Sequence, residues 1–282
     1  MAWIDNDLTA FASATPALGG GSVLDGYSHS DGSQHVNFVD GSGHVHELYR
    51  SPDPVAQWVD NDLTRFAGGT PAVGGSSLAG YSENDGSQHV NFIALYEGEA
   101  IQHVHELYRS SDPGAQWVEH DLTAIVQAES VFYVALALDG YSQNDGSQHV
   151  NFRGASLEAV SSDVHELYKG PYSSGQWVDN DLTEFAGGTS VGADVLVGYA
   201  QNGGGQQVNY VDGSGHVHEL FFGTLPNISG PACGWVDRDL TALAGGTPAA
   251  GDALAGYSQS DGSQHVNFLD SNGHVHELYE SP

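Results

Sequence analysis

The stretch DGSQHVNFVDGSGHVHELY, residues 31–49, decides the fold. Two runs of strand-forming residues, 34–38 and 44–49, flank an Asp-Gly-Ser-Gly turn at 40–43, which predicts an antiparallel β-hairpin. The hairpin also carries three histidines, a glutamate and a tyrosine. A metal site and a catalytic site are therefore the first hypotheses for its function.

The same stretch returns along the chain. DGSQHVNF stands at 31–38, 85–92, 145–152 and 261–268, and a divergent copy, GGGQQVNY, stands at 203–210. A Gly-Tyr pair precedes each copy, HVHELY or a close variant follows it, and a Trp-x-x-x-Asp-Leu-Thr motif recurs every 55 to 60 residues. Five repeats of this length are typical of an array or a propeller. The repeats begin near Trp3, Trp58, Trp117, Trp177 and Trp235.

Each repeat contains four short segments rich in Val, Tyr, Phe and Thr, separated by turn residues. Four strands per repeat predict one propeller blade, so we expect an all-β, five-bladed β-propeller with four antiparallel strands per blade, as a single domain over residues 1–282. The Gly-Tyr strand is innermost and the Trp motif outermost. Because the chain begins on a Trp motif, at 3–9, the N-terminal strand is expected to complete the last blade and close the ring.

Composition excludes several classes of partner. Six Lys and Arg residues against 36 Asp and Glu residues give a net charge of −30, which excludes nucleic acid and anionic membrane surfaces. Cys233 is the one cysteine, so no disulfide forms within the chain. The sequence shows neither a membrane span nor a signal peptide. We therefore expect no membrane insertion and cytoplasmic synthesis, with release by a non-classical route left open.

Five near-copies of the same polar residues favour multivalent binding, because a catalytic site is normally one asymmetric cluster. Symmetric pairing across the turn would place His35 opposite Glu47 and Val36 opposite His46. Tyr27 and Trp58 are expected at the same end of the blade. Aromatic rings stack on the C–H faces of sugars and carboxylates accept hydrogen bonds from sugar hydroxyls, so this combination predicts a carbohydrate site.

The predicted sugar-binding residues of the five repeats are His35, Glu47, Trp58 and Tyr27; His89, Glu106, Trp117 and Tyr81; His149, Glu166, Trp177 and Tyr141; Gln207, Glu219, Trp235 and Tyr199; and His265, Glu277, Trp3 and Tyr257. The alternative, that the Trp side chains pack between blades and the Tyr side chains pack in the core, stays open. In the fourth repeat Gln207 replaces the histidine and a glycine replaces the aspartate, so we expect four good sites and one weak or absent site.

Metal binding is the weaker interpretation of the hairpin. His44 and His46 share one face of a strand and zinc binds imidazole, but Asp163 replaces the first histidine in the third repeat. No further ligand accompanies the pair in the sequence. We therefore predict no metal site and no cofactor.

Catalysis is likewise not predicted. All the recurrent acids are present in several copies, so the unique carboxylate pair that a glycosidase needs does not stand out. Two alternatives remain. One is a propeller glycosidase or lyase that uses the divergent segments 93–102, 125–138 and 153–163, and the other is a scaffold that binds no sugar. The divergent segments are expected on one face of the propeller, where they would form a contact between copies of the chain.

The order of the motifs Gly-Tyr, QHVNF, GHVHELY and Trp-x-x-x-Asp-Leu-Thr resembles the bacterial propeller lectins of the Photorhabdus lectin type over essentially the whole chain. It is more distantly similar to the fungal fucose-binding propeller lectins. The resemblance implies a lectin for terminal mono- or oligosaccharides. The Photorhabdus-type lectins usually have seven blades, whereas five blades match the architecture of tachylectin-2.

The fungal lectins bind fucose between blades through an Arg on the second strand, a Glu on the third and a nearby aromatic residue. The Glu position falls on Glu47 and its copies, whereas the Arg position falls on His35, His89, His149, Gln207 and His265. The chain therefore lacks the cation that binds fucose in the fungal lectins, and this difference argues against fucose as its ligand.

Overall fold

The computed structural model describes residues 4–19, 24–74, 77–95, 101–126, 137–154, 162–171, 175–201, 204–224, 233–251 and 253–282. In these residues the chain folds into five antiparallel sheets and five short helices. The sheets are the five blades of an all-β propeller, which confirms the predicted fold class. None of the described helices is long and apolar enough to cross a membrane.

Four sheets contain four strands in chain order and the last contains three. The first unit of the chain, Met1–Thr123, holds two of them: β1 (Asp25–Ser28), β2 (Gln34–Val39), β3 (Val45–Arg50) and β4 (Val59–Asp62), then β5 (Leu78–Ser82), β6 (Gln88–Leu95), β7 (Gln102–Arg109) and β8 (Val118–Asp121).

The second unit, Ala124–Pro282, holds the other three sheets: β9 (Leu138–Ser142), β10 (Gln148–Gly154), β11 (Asp163–Lys169) and β12 (Trp177–Asp181); β13 (Val191–Ala200), β14 (Gln206–Asp212), β15 (Val217–Thr224) and β16 (Cys233–Asp239); and β17 (Leu254–Ser258), β18 (Gln264–Leu269) and β19 (Val275–Glu280).

The helices are α1 (Leu8–Ala12), α2 (Leu63–Ala67), α3 (Leu122–Ile125), α4 (Leu182–Ala186) and α5 (Leu240–Ala244).

The hairpin register differs from the expected one. His35 lies opposite Tyr49, and Glu47 lies opposite Asn37, so the predicted pairing of His35 with Glu47 is wrong by two positions. The Asp40 carboxylate accepts hydrogen bonds from the backbone N–H groups of Ser42 and His44 at 2.8 and 2.9 Å, which lengthens the turn. A shift of two residues keeps every side chain on its face.

The same shift moves His46 from the predicted position opposite Val36 to one opposite Phe38. His35 and Glu47 are therefore diagonal neighbours on one face of the sheet. Such neighbours are still within reach of long side chains.

The Trp motif is a strand followed by a helix, not a strand throughout as predicted. Strand β4 ends at Asp62, and α2 begins at the next residue because the Asp62 carboxylate accepts a hydrogen bond from the Arg65 N–H at 2.8 Å. Gly68, with φ of 63°, ends the helix after five residues. The Thr64 hydroxyl accepts a hydrogen bond from the Val45 N–H at 2.9 Å, which fixes the helix on strand β3.

The fifth sheet lacks the outermost strand that the repeat predicts. It consists of β17, β18 and β19, and residues 4–7, the described part of the N-terminal Trp motif, have no strand structure. The expected completion of this blade by the N-terminal strand is therefore not found in the described residues. Val275 and Tyr279 of β19 are exposed.

Hydrophobic clusters join consecutive blades within each unit. In the first unit Leu63, Phe92, Leu107 and Trp117 belong to one buried cluster. In the second unit Leu182, Val208, Tyr210 and Leu220 belong to another, and Val211, Val217, Val266 and Phe268 to a third. The alternating strand residues therefore form the core, together with the first helical leucine of three Trp motifs, Leu63, Leu122 and Leu182.

The glycine of the Gly-Tyr pair permits close packing of neighbouring blades. Gly80 donates its N–H to the Asp25 carboxylate of the preceding blade. A Cβ atom on Gly80 would lie 2.3 Å from Asn37 Nδ2 and 2.9 Å from Asp25 Oδ2. Gly198 has the same environment in the second unit, where a Cβ atom would lie 2.4 Å from Asn151 Nδ2.

We expect Gly80→Ala to lower the free energy of unfolding by about 1–3 kcal/mol, because the added methyl group overpacks the contact between the blades. Urea unfolding of the whole chain measures the loss. Gly41→Ala is the control, because a Cβ atom at Gly41 would meet no atom within 4 Å. Equal stability of the two variants would contradict the close packing.

Candidate functional site

A buried hydrogen-bonded chain runs through the first blade. The Ser33 hydroxyl lies 2.8 Å from His35 Nε2, and His35 Nδ1 lies 2.7 Å from Glu47 Oε1. The Asn61 amide donates to the other carboxylate oxygen of Glu47 at 3.0 Å. The Tyr27 ring stacks on the His35 ring with a centroid distance of 4.6 Å. The structure thus brings the predicted histidine, glutamate and tyrosine together.

The same chain recurs in three further blades. The His–Glu distances are 2.8, 2.7 and 2.9 Å, the Ser–His distances are 3.1, 2.9 and 3.1 Å, and the Tyr and His rings stack in each case. The residues are Tyr81, Ser87, His89 and Glu106; Tyr141, Ser147, His149 and Glu166; and Tyr257, Ser263, His265 and Glu277.

The connectivity Ser–His–Glu matches that of a nucleophilic triad, but its burial prevents that use. Ser33 is 1% exposed, and His35 and Glu47 are 1% and 2% exposed. A substrate carbonyl cannot reach this hydroxyl, and a sugar hydroxyl cannot reach this carboxylate, without an opening of the blade. The geometry favours a role for His35 and Glu47 in joining three strands, and their role in sugar binding stays a prediction.

The glutamates of the second and fourth blades have shifted pKa values, in opposite directions. Burial would raise the pKa of Glu106, but hydrogen bonds from His120 and His89 outweigh it and lower the pKa to about 2. In the fourth blade burial raises the pKa of Glu219 to about 7, and the Arg238 guanidinium, 3.2 Å away, offsets part of the rise.

The fourth blade differs because Gln207 replaces the histidine. The Gln207 amide donates to Gln201 at 3.2 Å, so the cation that neighbours the glutamate there is Arg238.

The predicted tryptophans divide between buried and half-buried positions. Trp117 is buried in the hydrophobic cluster of the first unit, which supports the alternative that this position packs in the core. Trp58, Trp177 and Trp235 are half-buried, and Trp3 lies outside the described residues. Among the tyrosines, Tyr81 and Tyr199 are buried and Tyr257 is exposed.

A polar cavity of about 450 Å³ opens between the first two blades, within the first unit. It lies at the end of the blades where the sequence predicted the sugar site, but other side chains line it. The lining residues that offer polar atoms or rings include His29, Asp31, Tyr49, Asp85, Gln88, Arg109 and Asp112. The cavity volume falls in the range of small-ligand sites.

Two buried polar atoms of this cavity have no hydrogen-bond partner among the described residues, namely His29 Nε2 and Gln88 Oε1. Both atoms are closed to solvent, so a partner for either of them requires a movement of the neighbouring side chains. Arg109 donates its Nε–H to the Ala115 carbonyl at 3.2 Å, which anchors the side chain to the following loop. The remaining guanidinium N–H groups are suited to a ligand in the cavity.

Sequence reasoning missed this lining because it followed the repeated motifs. One signal was present: the chain has six Lys and Arg residues, and Arg50, Arg109 and Lys169 stand at the same repeat position, after HELY. Cations concentrated at one position of a strongly acidic chain indicate a constraint there. The predicted patch of divergent segments cannot be placed, since 96–100, 127–136 and 155–161 lie outside the described residues.

No protein-family profile and no curated protein sequence matches this chain. Among solved structures it is similar to the six-bladed propeller lectin of Aleuria aurantia, with a TM-score of 0.56 and 14% identity over 92% of this chain and 74% of the lectin. It is also similar to AofleA from Arthrobotrys oligospora, with a TM-score of 0.54 and 14% identity over 93% of this chain and 70% of that protein.

An enzyme shares the fold as well. The polysaccharide lyase Uly1 gives a TM-score of 0.51 and 10% identity over 91% of this chain and 57% of the lyase. At these identities the similarity shows the β-propeller fold, which fucose-binding lectins and an enzyme have in common. The similarity to the bacterial Photorhabdus type stays a prediction.

We expect Glu106→Gln to lower the free energy of unfolding at pH 7 by about 3 kcal/mol, which corresponds to the fall of the pKa from 4.5 to about 2. Because the pKa is lower in the folded chain, the ionised group stabilises the fold above about pH 4.5, and this contribution disappears as the pH falls toward 2. Urea unfolding at pH 7 and pH 3 measures both effects.

The control for this prediction is Glu219→Gln. The folded pKa of Glu219 is raised to about 7, so its charge does not stabilise the fold, and a neutral amide should cost far less. Similar losses in the two variants would show that the histidine hydrogen bonds do not hold Glu106 ionised.

Proposed function

We propose that this protein is a multivalent carbohydrate-binding lectin without catalytic activity, and that the cavity between its first two blades binds a terminal neutral sugar. The observation that carries the proposal is the lining of this cavity. It combines carboxylates, a guanidinium, an imidazole, an amide and an aromatic ring.

The cavity offers complementary partners for a sugar ring. The carboxylates of Asp31, Asp85 and Asp112 accept hydrogen bonds from hydroxyls, and the Arg109 guanidinium donates to hydroxyl and ring oxygens. Burial, together with the charges of Asp31 and Glu47, raises the pKa of Tyr49, so its phenol remains a neutral donor. The ring of Tyr49 also provides an apolar surface for sugar C–H groups.

Charge restricts the class of sugar. Three aspartates and one arginine line the cavity, and the chain carries a net charge of −30. A sialic acid, a uronic acid or a sulfated sugar would be repelled by this field. Fucose, galactose and N-acetylglucosamine are neutral, so they are the first ligands to test.

The residue at the position of Arg109 in each repeat indicates how many sugar sites the chain can have. The position of Arg109 is occupied by Arg50 in the first repeat, Lys169 in the third, Phe222 in the fourth and Glu280 in the fifth. If the cation is needed, three repeats supply a good donor and two do not. This count is lower than the four good sites expected from the histidines alone, and both estimates make the fourth repeat weak.

The enzyme alternative has one observation in its favour, the similarity to a polysaccharide lyase. The Ser–His–Glu chains do not add to it, because they are present in four copies and the glutamate is buried in three of them. An enzyme would lose all activity through one substitution in one blade, whereas a multivalent lectin would lose only part of its binding.

We expect Arg109→Met to weaken monosaccharide binding to its cavity about 10- to 100-fold, the usual effect of losing hydrogen bonds to a charged group. A glycan array identifies the sugar, and calorimetric titration of that sugar measures the affinity. Arg65→Met is the control, since Arg65 lies exposed on helix α2, outside the cavity lining. Unchanged affinity in Arg109→Met would reject this cavity as the site.

Hemagglutination tests multivalency separately. Cross-linking of cells needs at least two sites per particle, so we expect agglutination that the free monosaccharide inhibits. The triple variant Arg50→Met, Arg109→Met, Lys169→Met should abolish it, while Arg109→Met alone should reduce the titre. Complete loss in the single variant would contradict equivalent sites and favour one asymmetric site.

A further inference from the structure

A second cluster of polar side chains lies at the other end of the first two blades. His44 and His46 of the first blade lie with Asp62, and His103 and His105 of the second lie with Asp121. In each group one nitrogen per imidazole and one carboxylate oxygen lie within 4.8 Å of one another. The sequence predicted no metal because no third ligand accompanied the two histidines, and the outer strand of the blade supplies that ligand.

The second histidine of each cluster is oriented by another carboxylate. His105 Nδ1 lies 2.6 Å from Glu119 Oε1, and His46 Nδ1 lies 2.9 Å from Asp60 Oδ1. A carboxylate on one ring nitrogen keeps the proton there and leaves the lone pair of the other nitrogen for a metal. His105 is 5% exposed, and its Nε2 has no hydrogen-bond partner among the described residues.

The distances suit a small divalent ion. Asp121 Oδ2 lies 2.8 Å from His103 Nδ1 and 3.9 Å from His105 Nε2. A tetrahedral zinc ion with bonds of about 2.0–2.1 Å holds its ligands roughly 3.3 Å apart, between these two distances. Small movements of the side chains would therefore complete the geometry.

The third ligand and the access route are also in place. In the first blade Asp62 Oδ2 lies 2.9 Å from His44 Nδ1, while Oδ1 accepts the Arg65 N–H of helix α2. The helix thus fixes the carboxylate with one oxygen directed at the histidine. The His44 side chain is 34% exposed, so an ion and a water ligand can enter.

We propose that the His-His-Asp clusters of the first two blades bind Zn²⁺ through two imidazoles and one carboxylate, with water as the fourth ligand. Two nitrogen ligands and one oxygen ligand with an open position are a zinc donor set, whereas Mg²⁺ and Ca²⁺ prefer oxygen ligands alone. The inference is independent of the sugar-binding proposal. The group Asp270, His274 and His276 of the fifth blade has the same residue types, but its carboxylate comes from the turn.

The third blade provides a natural comparison. Asp163 replaces the first histidine there, while His165 Nε2 lies 3.9 Å from Asp181 Oδ2, the same distance as in the second blade. The clusters of the second and third blades therefore differ at one ligand position, which is His103 in one and Asp163 in the other.

Calorimetric zinc titration of the chelator-treated chain, with equilibrium dialysis and metal analysis, tests the proposal. His103→Asp should lower the stoichiometry by one ion per chain, and Asp163→His should raise it by one. His120→Asn removes a histidine outside the cluster, copies the Asn61 of the first blade and should leave the number unchanged. Co²⁺ loaded in place of zinc should give the intense visible absorption of a four-coordinate site.

Two outcomes would overturn the proposal. The first is an unchanged stoichiometry in Asp163→His, which decides the question even if His103→Asp proves poorly folded by circular dichroism. The second is displacement of zinc by excess Mg²⁺, because an ion held only by the acidic surface exchanges for any divalent cation, whereas an imidazole site retains zinc.

Discussion

A glutamate carboxylate that lies buried between the strands in each of the first four blades is the constraint on which the repeat depends. Removing a carboxylate from water costs several kcal/mol unless donors satisfy both of its oxygens. His35 and Asn61 supply those donors to Glu47 from the two neighbouring strands, and Ser33 holds the far side of the imidazole. Because each group satisfies the next, loss of one member would leave a buried charge or an unpaired donor.

The fourth blade shows how the constraint is met when one member changes. Gln207 no longer donates to the glutamate, and Arg238 occupies the position where the first blade has Asn61. Arg238 thus replaces the lost donor on the other side of Glu219, although burial still raises the pKa of this glutamate to about 7. The residues at the ends of the strands differ from repeat to repeat, as at the position of Arg50, Arg109, Lys169, Phe222 and Glu280. Recognition is expected at these ends because the interior of the blade is fixed.

The sequence allowed the fold to be predicted, since five copies of one four-strand pattern leave few alternatives to a propeller. It could not supply the hairpin register, because the Asp40 side chain lengthens the turn in a way that no motif specifies. The helix after Asp62 could not be predicted, because five residues are too few to show the 3.6-residue periodicity of an α-helix. The repeated histidine and glutamate were assigned to a ligand, although repetition follows equally from a buried network.

The two proposed sites lie at opposite ends of the same strand. On β7, His103 and His105 stand near the first residue and Arg109 stands at the last, so about six residues and roughly 20 Å of extended chain separate them. The His89–Glu106 pair couples the strand between them to β6. Neither proposed site shares a residue with the other, so an ion at one end and a sugar at the other would contact different parts of the blade. The buried pair thus belongs to the scaffold of the blade, while the two proposed sites use the opposite ends of its strands.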